Sequence, residues 1–310
     1  MINDIGDITE TLEFVSEKNV SGTLINKNDF LNKISKKSKE FNHTVSTWMI
    51  YKQKCGSGAG AGKWFENVFT AFTNKHVDGW YALKLDLENS DWCVHDVIVS
   101  PNKDMVRSLK EFTRIKEQVE TLIPVSDIES RIEKLHELLD ERWGFVVGVS
   151  AKTYKDYQLQ VTTSNSPREH LEKNHDDILN ETFDVESFIK KLGKKTDEHQ
   201  LILGLNYWYD TNKSYRLTNI DLNSLSKIIN KVTYRKLKKH TRYYLVDNNG
   251  KEVADFKYGG KTANAFQRGM WLAPSKRFPG LNSFKTVIAG SFKYQGNTTE
   301  FEENLINLFI

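Results

Sequence analysis

The sequence has 310 residues, enough to bury a substantial core, and its 38% hydrophobic and 27% charged residues read as a folded rather than a disordered chain. A formal charge of only +3 excludes a globally basic coat, so any nucleic-acid footprint must be local. Two cysteines, Cys55 and Cys93, cannot by themselves build a disulfide framework or a four-ligand zinc site, and no apolar run reaches membrane-spanning length.

Residues 1–5 are acidic and lack a basic stretch leading into an apolar run, so no signal peptide is expected and a reducing cytoplasm is the default. Residues 1–50 read as amphipathic helix, with Phe30, Leu31, Ile34 and Phe41 spaced for a buried stripe. The glycine/alanine tract at 56–62 reads as loop and leads into a helix from Lys63 that carries Glu66 in its first turns. It is not a phosphate-binding loop. The position five before Gly62 is Ser57, and Lys63 is followed by Trp64 where a magnesium-binding hydroxyl is required.

Two strand candidates follow, 80–87 and 92–99, separated by the polar turn Glu88-Asn89-Ser90-Asp91. Residues 103–122 and 127–142 read as two charged helices inserted before the next strand, 144–153. Residues 157–163 continue as strand, and Pro167 opens a further helix. Beyond residue 195 the pattern predicts a strand at 201–209, a basic helix at 221–239, and a hairpin of 243–246 with 253–258 around Asp247-Asn248-Asn249-Gly250. A strand at 284–292 and a closing helix at 299–309 complete it. The expected architecture is α/β: a mixed central sheet flanked by helices over residues 1–195, with a C-terminal α+β lobe over 196–310.

Chemistry concentrates in three segments. Asp96 lies within an apolar strand, where a carboxylate is costly unless it is paired or holds a metal. In the strand around Val147, alternation places Gly148, Ser150 and Lys152 on one face, opposite Val147 and Val149. A lysine there either snorkels out or meets an anion. Glu66 on its helix is the third element.

Helix with an acid, hairpin with an aspartate, next strand with x-Lys: this order resembles the PD-(D/E)XK nucleases, in particular type II restriction endonucleases, across roughly residues 60–175. The resemblance implies a site-specific, Mg²⁺-dependent endonuclease for double-stranded DNA, found in a bacterial or archaeal cytoplasm. It implies metal ligation by Asp96, Glu66 and the Ala151 carbonyl, and Lys152 beside the attacking water. Ser150 stands where the family's second acid belongs, and some members with Ser-x-Lys recruit a carboxylate from a later helix. Here Glu169 or Glu172 is the natural donor. A palindromic target would call for a homodimer.

Candidate DNA contacts fall outside that core motif. Lys155, Gln158 and Gln160 follow the catalytic strand, where glutamine can read adenine edges or simply form a solvated strand edge. Arg235, Lys238 and Lys239 belong to a cationic cluster, with Lys227, Lys231, Lys236 and Arg242, interleaved with Tyr234, Tyr243 and Tyr244. That mixture suits phosphate neutralisation, or else a solvated face. Asn264, Gln267 and Arg268 form a candidate recognition loop or short helix beside Gly269 and Trp271. His95-Asp96 and the trio His170, Asn174 and His175 fit neither a helical HD phosphohydrolase motif nor an HNH hairpin-helix layout.

Overall fold

Helices form where apolar side chains recur at helical spacing and where polar residues satisfy the exposed ends. The computed structural model describes residues 25–55, 58–85, 92–93, 95–155, 159–160, 166–193, 197–208, 214–238, 241–257, 269–272 and 284–291. Helix α1 (Lys27–Ser35) starts where the Asn26 side chain accepts from the backbone N–H groups of Asn28 and Asp29. It buries Phe30 and Ile34. Helices α2 (Ser38–Cys55) and α3 (Gly58–His76) follow, and the predicted stripe residue Phe41 is fully buried.

The glycine tract departs from expectation, because α3 already includes Gly58 to Gly62. Each glycine costs about 1 kcal/mol against alanine in a helix. Tertiary packing of Phe65, Val68, Phe69 and Phe72 downstream outweighs that local preference.

Strands β1 (Tyr81–Lys84) and β2 (Val97–Ser100) pair antiparallel, as the turn chemistry between them implied. After a short 3₁₀ turn at Lys103–Arg107, α4 (Leu109–Leu122) and α5 (Ile128–Trp143) form the inserted helical pair. Asp127 caps α5 by accepting from the Ser130 N–H. The Arg131 guanidinium donates to the carbonyls of Ile123 and Glu120, tying off the end of α4.

Strand β3 (Val147–Lys155) lies antiparallel to β2, and the two-residue β4 (Leu159–Gln160) follows it. Helices α6 (Ser166–Lys173), α7 (His175–Leu179) and α8 (Val185–Gly193) lead to β5 (Gln200–Trp208), which runs parallel to β3. Strand β6 (Ser214–Ile220) then turns back along β5.

Where a basic helix was expected at 221–239, the chain forms a 3₁₀ turn at Leu222–Lys227 and strand β7 (Ile229–Lys236). Its partners are β8 (Thr241–Asp247) and β9 (Glu252–Lys257), joined by a turn in which Gly250 takes φ +76°. That left-handed conformation suits glycine. Strands β10 (Gly269–Leu272) and β11 (Phe284–Ser291) complete the described elements. Residues 269–271 are therefore strand, not the loop or short helix expected there, while 261–268 and the closing helix at 299–309 lie outside the described residues.

Two sheets result. The first is six-stranded, ordered β1-β2-β3-β5-β6-β11, and only β3 and β5 are parallel. The second is ordered β4-β10-β9-β8-β7. The first sheet thus draws strands from both sides of residue 195.

Its two faces differ. Val147, Val149, Ala151, Leu201, Leu203 and Leu205 join the aromatic core supplied by α1 to α3. The opposite face carries two separate cores. Ile98 packs with α4 and α5, and Ile202 and Ile220 pack with α8 and the second sheet. Among the described residues, no helix is long and apolar enough to cross a membrane.

Candidate functional site

Between those two cores, the strand alternation expected for β3 brings its polar residues together. Asp96 sits immediately before β2, and its backbone continues the sheet: its N–H donates to the Val149 carbonyl, and its carbonyl accepts from the Leu85 N–H. Its carboxylate is only partly exposed. Oδ2 accepts from the Ala151 N–H at 2.8 Å, from Lys152 Nζ at 3.1 Å and from Ser150 Oγ at 3.3 Å. Among the described residues, Oδ1 has no hydrogen-bond partner.

Three donors on one oxygen hold the carboxylate in a single orientation. Within a strand, the N–H and C=O of one residue point to the same edge. Ala151's carbonyl is therefore directed toward the side on which Asp96 lies. The Asp96–Lys152 ion pair has side chains 25% and 22% exposed, so both groups can still be reached from solvent. Lys152 is in register with Gly204 on β5, which leaves the neighbouring position on that face without a side chain.

The other predicted site residues fare differently. Glu66 is half-buried on α3, whose Phe65, Val68, Phe69 and Phe72 belong to the core of Val147, Val149 and Ala151. Asp96, Ser150 and Lys152 occupy the other face of the sheet. Glu172 is exposed on α6, and Leu171 beside it joins the core of the second sheet. None of the described acids is a partner of Asp96, and among the described residues no three His, Cys, Asp or Glu side chains cluster to hold a metal ion.

The backbones of Lys155, Gln160 and Glu169 lie in β3, β4 and α6, but their side chains fall outside what the structure describes. Gln158, Lys239, Asn264, Gln267 and Arg268 lie outside the described residues altogether. Lys238 is exposed just past β7.

Two features escaped the sequence reading. Arg216 on β6 is exposed, and its register through Asn206 and Tyr154 puts it on the Lys152 face, one alternation further along. Strand β6 was not anticipated, although its buried Tyr215 and Leu217 alternate with Arg216 and Thr218.

The second is a histidine row beneath Asp96. His95 Nε2 and His136 Nε2 are 3.0 Å apart and buried, and the His199 ring lies 5.2 Å beyond His136. His199 Nδ1 in turn approaches Asp140 Oδ2 at 3.5 Å. Burial, reinforced by His95 and His199, holds the His136 pKa well below the ordinary histidine value. Burial also raises the Asp140 carboxyl to about 6, against the Val146 N–H bond and His199, which favour its charged form.

The aromatic residues of the cationic cluster also separate. Tyr243 is buried, with its hydroxyl 3.1 Å from His175 Nδ1, and Lys231 pairs with Glu181 at 2.5 Å. Arg235 and Arg242 instead stack on Tyr244. No protein-family model matches the chain, and no curated protein or solved structure matches it either.

Proposed function

We propose that this protein is a divalent-metal-dependent endonuclease acting on double-stranded DNA, of the site-specific restriction type. The observation that carries the reading is the convergence of Lys152 Nζ and the Ala151 N–H on the Asp96 carboxylate, on one partly exposed face of the sheet. Helix, hairpin and strand also follow one another in the order that the resemblance implies.

The donor set fits a small hard cation, which takes oxygen ligands. Asp96, through the oxygen without a partner among the described residues, and the Ala151 carbonyl would hold Mg²⁺. A second carboxylate, from Glu169 or Glu172 on α6, would complete the set, because Glu66 lies on the α3 side of the sheet. When bound, the ion supplies charge neutralisation at the phosphate and lowers the pKa of water.

The chain's own residues do the rest. Ser150 and the Ala151 N–H fix the carboxylate rotamer, so the Asp96 oxygens are positioned before substrate arrives. Lys152 carries a positive charge to the same point, where it can orient the attacking water and stabilise negative charge developing on the phosphate. In-line attack then leaves a 5′-phosphate and a 3′-hydroxyl.

Supercoiled plasmid incubated with Mg²⁺ or with EDTA tests this directly. Nicked and linear products are expected with Mg²⁺ only, and should vanish in Lys152→Ala and Asp96→Ala. A mobility shift without cutting under any divalent metal would make the chain a DNA-binding protein rather than a nuclease.

A further inference from the structure

We infer that His136, on the inserted helix α5, is a positioning residue for Asp96: it fixes the His95 ring, and His95 in turn fixes the bend that turns Asp96 toward Lys152. What the positioned carboxylate does rests on the nuclease reading; the positioning itself rests on the geometry below.

In a regular strand, consecutive side chains point to opposite faces. His95 and Asp96 do not. The Asp96 carboxylate meets Ser150 and Lys152, and the His95 ring lies over Gly148, where an added Cβ would fall 2.4 Å from His95 Cε1. Gly148, Ser150 and Lys152 share one face of β3, so both side chains reach that face, and the chain bends at Asp96 to allow it. Backbone bonds to Val149 and Leu85 pin Asp96 itself. The side chain before it is held by packing on Gly148 and by its contact with His136.

His136 is costly where it stands. Its neighbours on the buried face of α5, Leu135, Leu139 and Trp143, belong to an apolar core. His136 Nδ1 is buried with no hydrogen-bond partner among the described residues, whereas Nε2 lies 3.0 Å from His95 Nε2. A buried imidazole with one nitrogen unsatisfied is destabilising relative to an apolar side chain of similar volume, so packing does not account for it. One of the two facing nitrogens must carry the shared proton, and such a bond accepts a narrow range of ring positions. Helix α5 is anchored in the core that it shares with Ile98 and Val146, which makes it a fixed platform for that bond. Asp96 Oδ2 accepts from the Ala151 N–H at 2.8 Å, so this amide reports where the carboxylate sits.

Amide hydrogen exchange in EDTA tests the inference without reference to catalysis. In His136→Leu the Ala151 N–H is expected to lose protection about fivefold or more relative to the amides of β5 and β6, the scale of one weakened hydrogen bond. In His136→Gln, whose amide can still reach His95, protection should return. Plasmid cleavage should follow the same order: kcat falls about 10- to 100-fold in His136→Leu with KM unchanged, as for a misplaced reacting group, and recovers in His136→Gln. The melting temperature of each variant establishes that it is folded. Unchanged Ala151 protection in folded His136→Leu would overturn the positioning role, as would a loss shared equally by β5 and β6, or a glutamine variant no better than the leucine one.

The two readings fail separately. His136→Leu that cleaves at the parent rate with Ala151 fully protected would remove the positioning role and leave the nuclease. A selective loss at Ala151, in a protein that cuts no DNA under any divalent metal, would keep the positioning and remove the nuclease.

Discussion

Replacing Gly148 with alanine tests the packing that seats Asp96. A Cβ at Gly148 would fall 2.4 Å from His95 Cε1 and Nδ1 and 2.5 Å from Cγ. Non-bonded carbons settle at about 3.5–4.0 Å, so the ring must retreat by more than ~1 Å. It has nowhere easy to go, since His95 is buried and shares a 3.0 Å hydrogen bond with His136. Overpacking of this kind costs about 1–3 kcal/mol. Losing the His95–His136 bond, with two buried imidazoles left behind, adds roughly 1–2 kcal/mol. At roughly 2.1 cal/mol/K per residue, a chain of 310 residues loses about 3–8 °C of Tm for a total of about 2–5 kcal/mol.

Thermal or urea unfolding of Gly148→Ala, His95→Ala and the double variant measures this as a cycle. His95→Ala alone leaves a cavity and costs about 2–4 kcal/mol. In the double variant the new methyl occupies part of the vacated space, so the two losses should fall short of additivity by about 1–3 kcal/mol. Because Asp96 follows His95 directly, Gly148→Ala should also lower plasmid cleavage. Strict additivity, or a Gly148→Ala protein as stable as the parent, would refute the reasoning that these two residues share one space.

Lys152→Ala and Asp96→Ala should each reduce cleavage at least about 100-fold, the scale of losing a preorganised electrostatic group, as measured by initial rates on plasmid; Asp96→Asn keeps an acceptor for the Ala151 N–H and should retain more stability than Asp96→Ala without regaining activity. Stability should fall as pH drops below about 6.5, because the unfolded chain binds a proton there that buried His136 resists; His136→Gln should flatten this acid limb in a Tm-versus-pH series. Asp140 acts in the opposite direction. Its folded pKa of about 6 lies above the ordinary 3.8, so its contribution is complete below 3.8 and is lost as pH rises through about 6. Asp140→Asn should remove that decline. A Cβ at Gly62 meets nothing within 4 Å, so Gly62→Ala should stabilise the protein by about 0.5–1 kcal/mol, read from urea unfolding; a loss would mean that α3 does not run through the glycine tract.

How much of this could be read beforehand follows from which signals are local. The polar face of β3 was legible because a strand alternates with period two, and Gly148, Ser150 and Lys152 obey that period beside Val147 and Val149. The hairpin of β8 and β9 was legible from its Asn-Gly turn. Strand β7 was not. Lys227, Lys231 and Arg235 recur every four residues, a spacing that brings charges to one face of a helix and also to one face of a strand. What decides between them is Val232-Thr233-Tyr234 pairing with β8, a contact made at a distance along the chain. The extension of α3 into its glycines likewise depends on packing that local propensity does not contain. Nothing local announces the His95–His136 pair, since the two residues are 41 positions apart.

The same separation of signals bears on function. A net charge of +3 over the whole chain cannot by itself draw in a polyanion, so attraction has to come from charges concentrated where they meet the substrate. Asp96 and Lys152 neutralise each other, and without a cation their pair offers DNA little net attraction. On the proposed nuclease reading, charges elsewhere on the chain would govern affinity and its salt dependence, whereas the Asp96 face would govern the rate once DNA is bound.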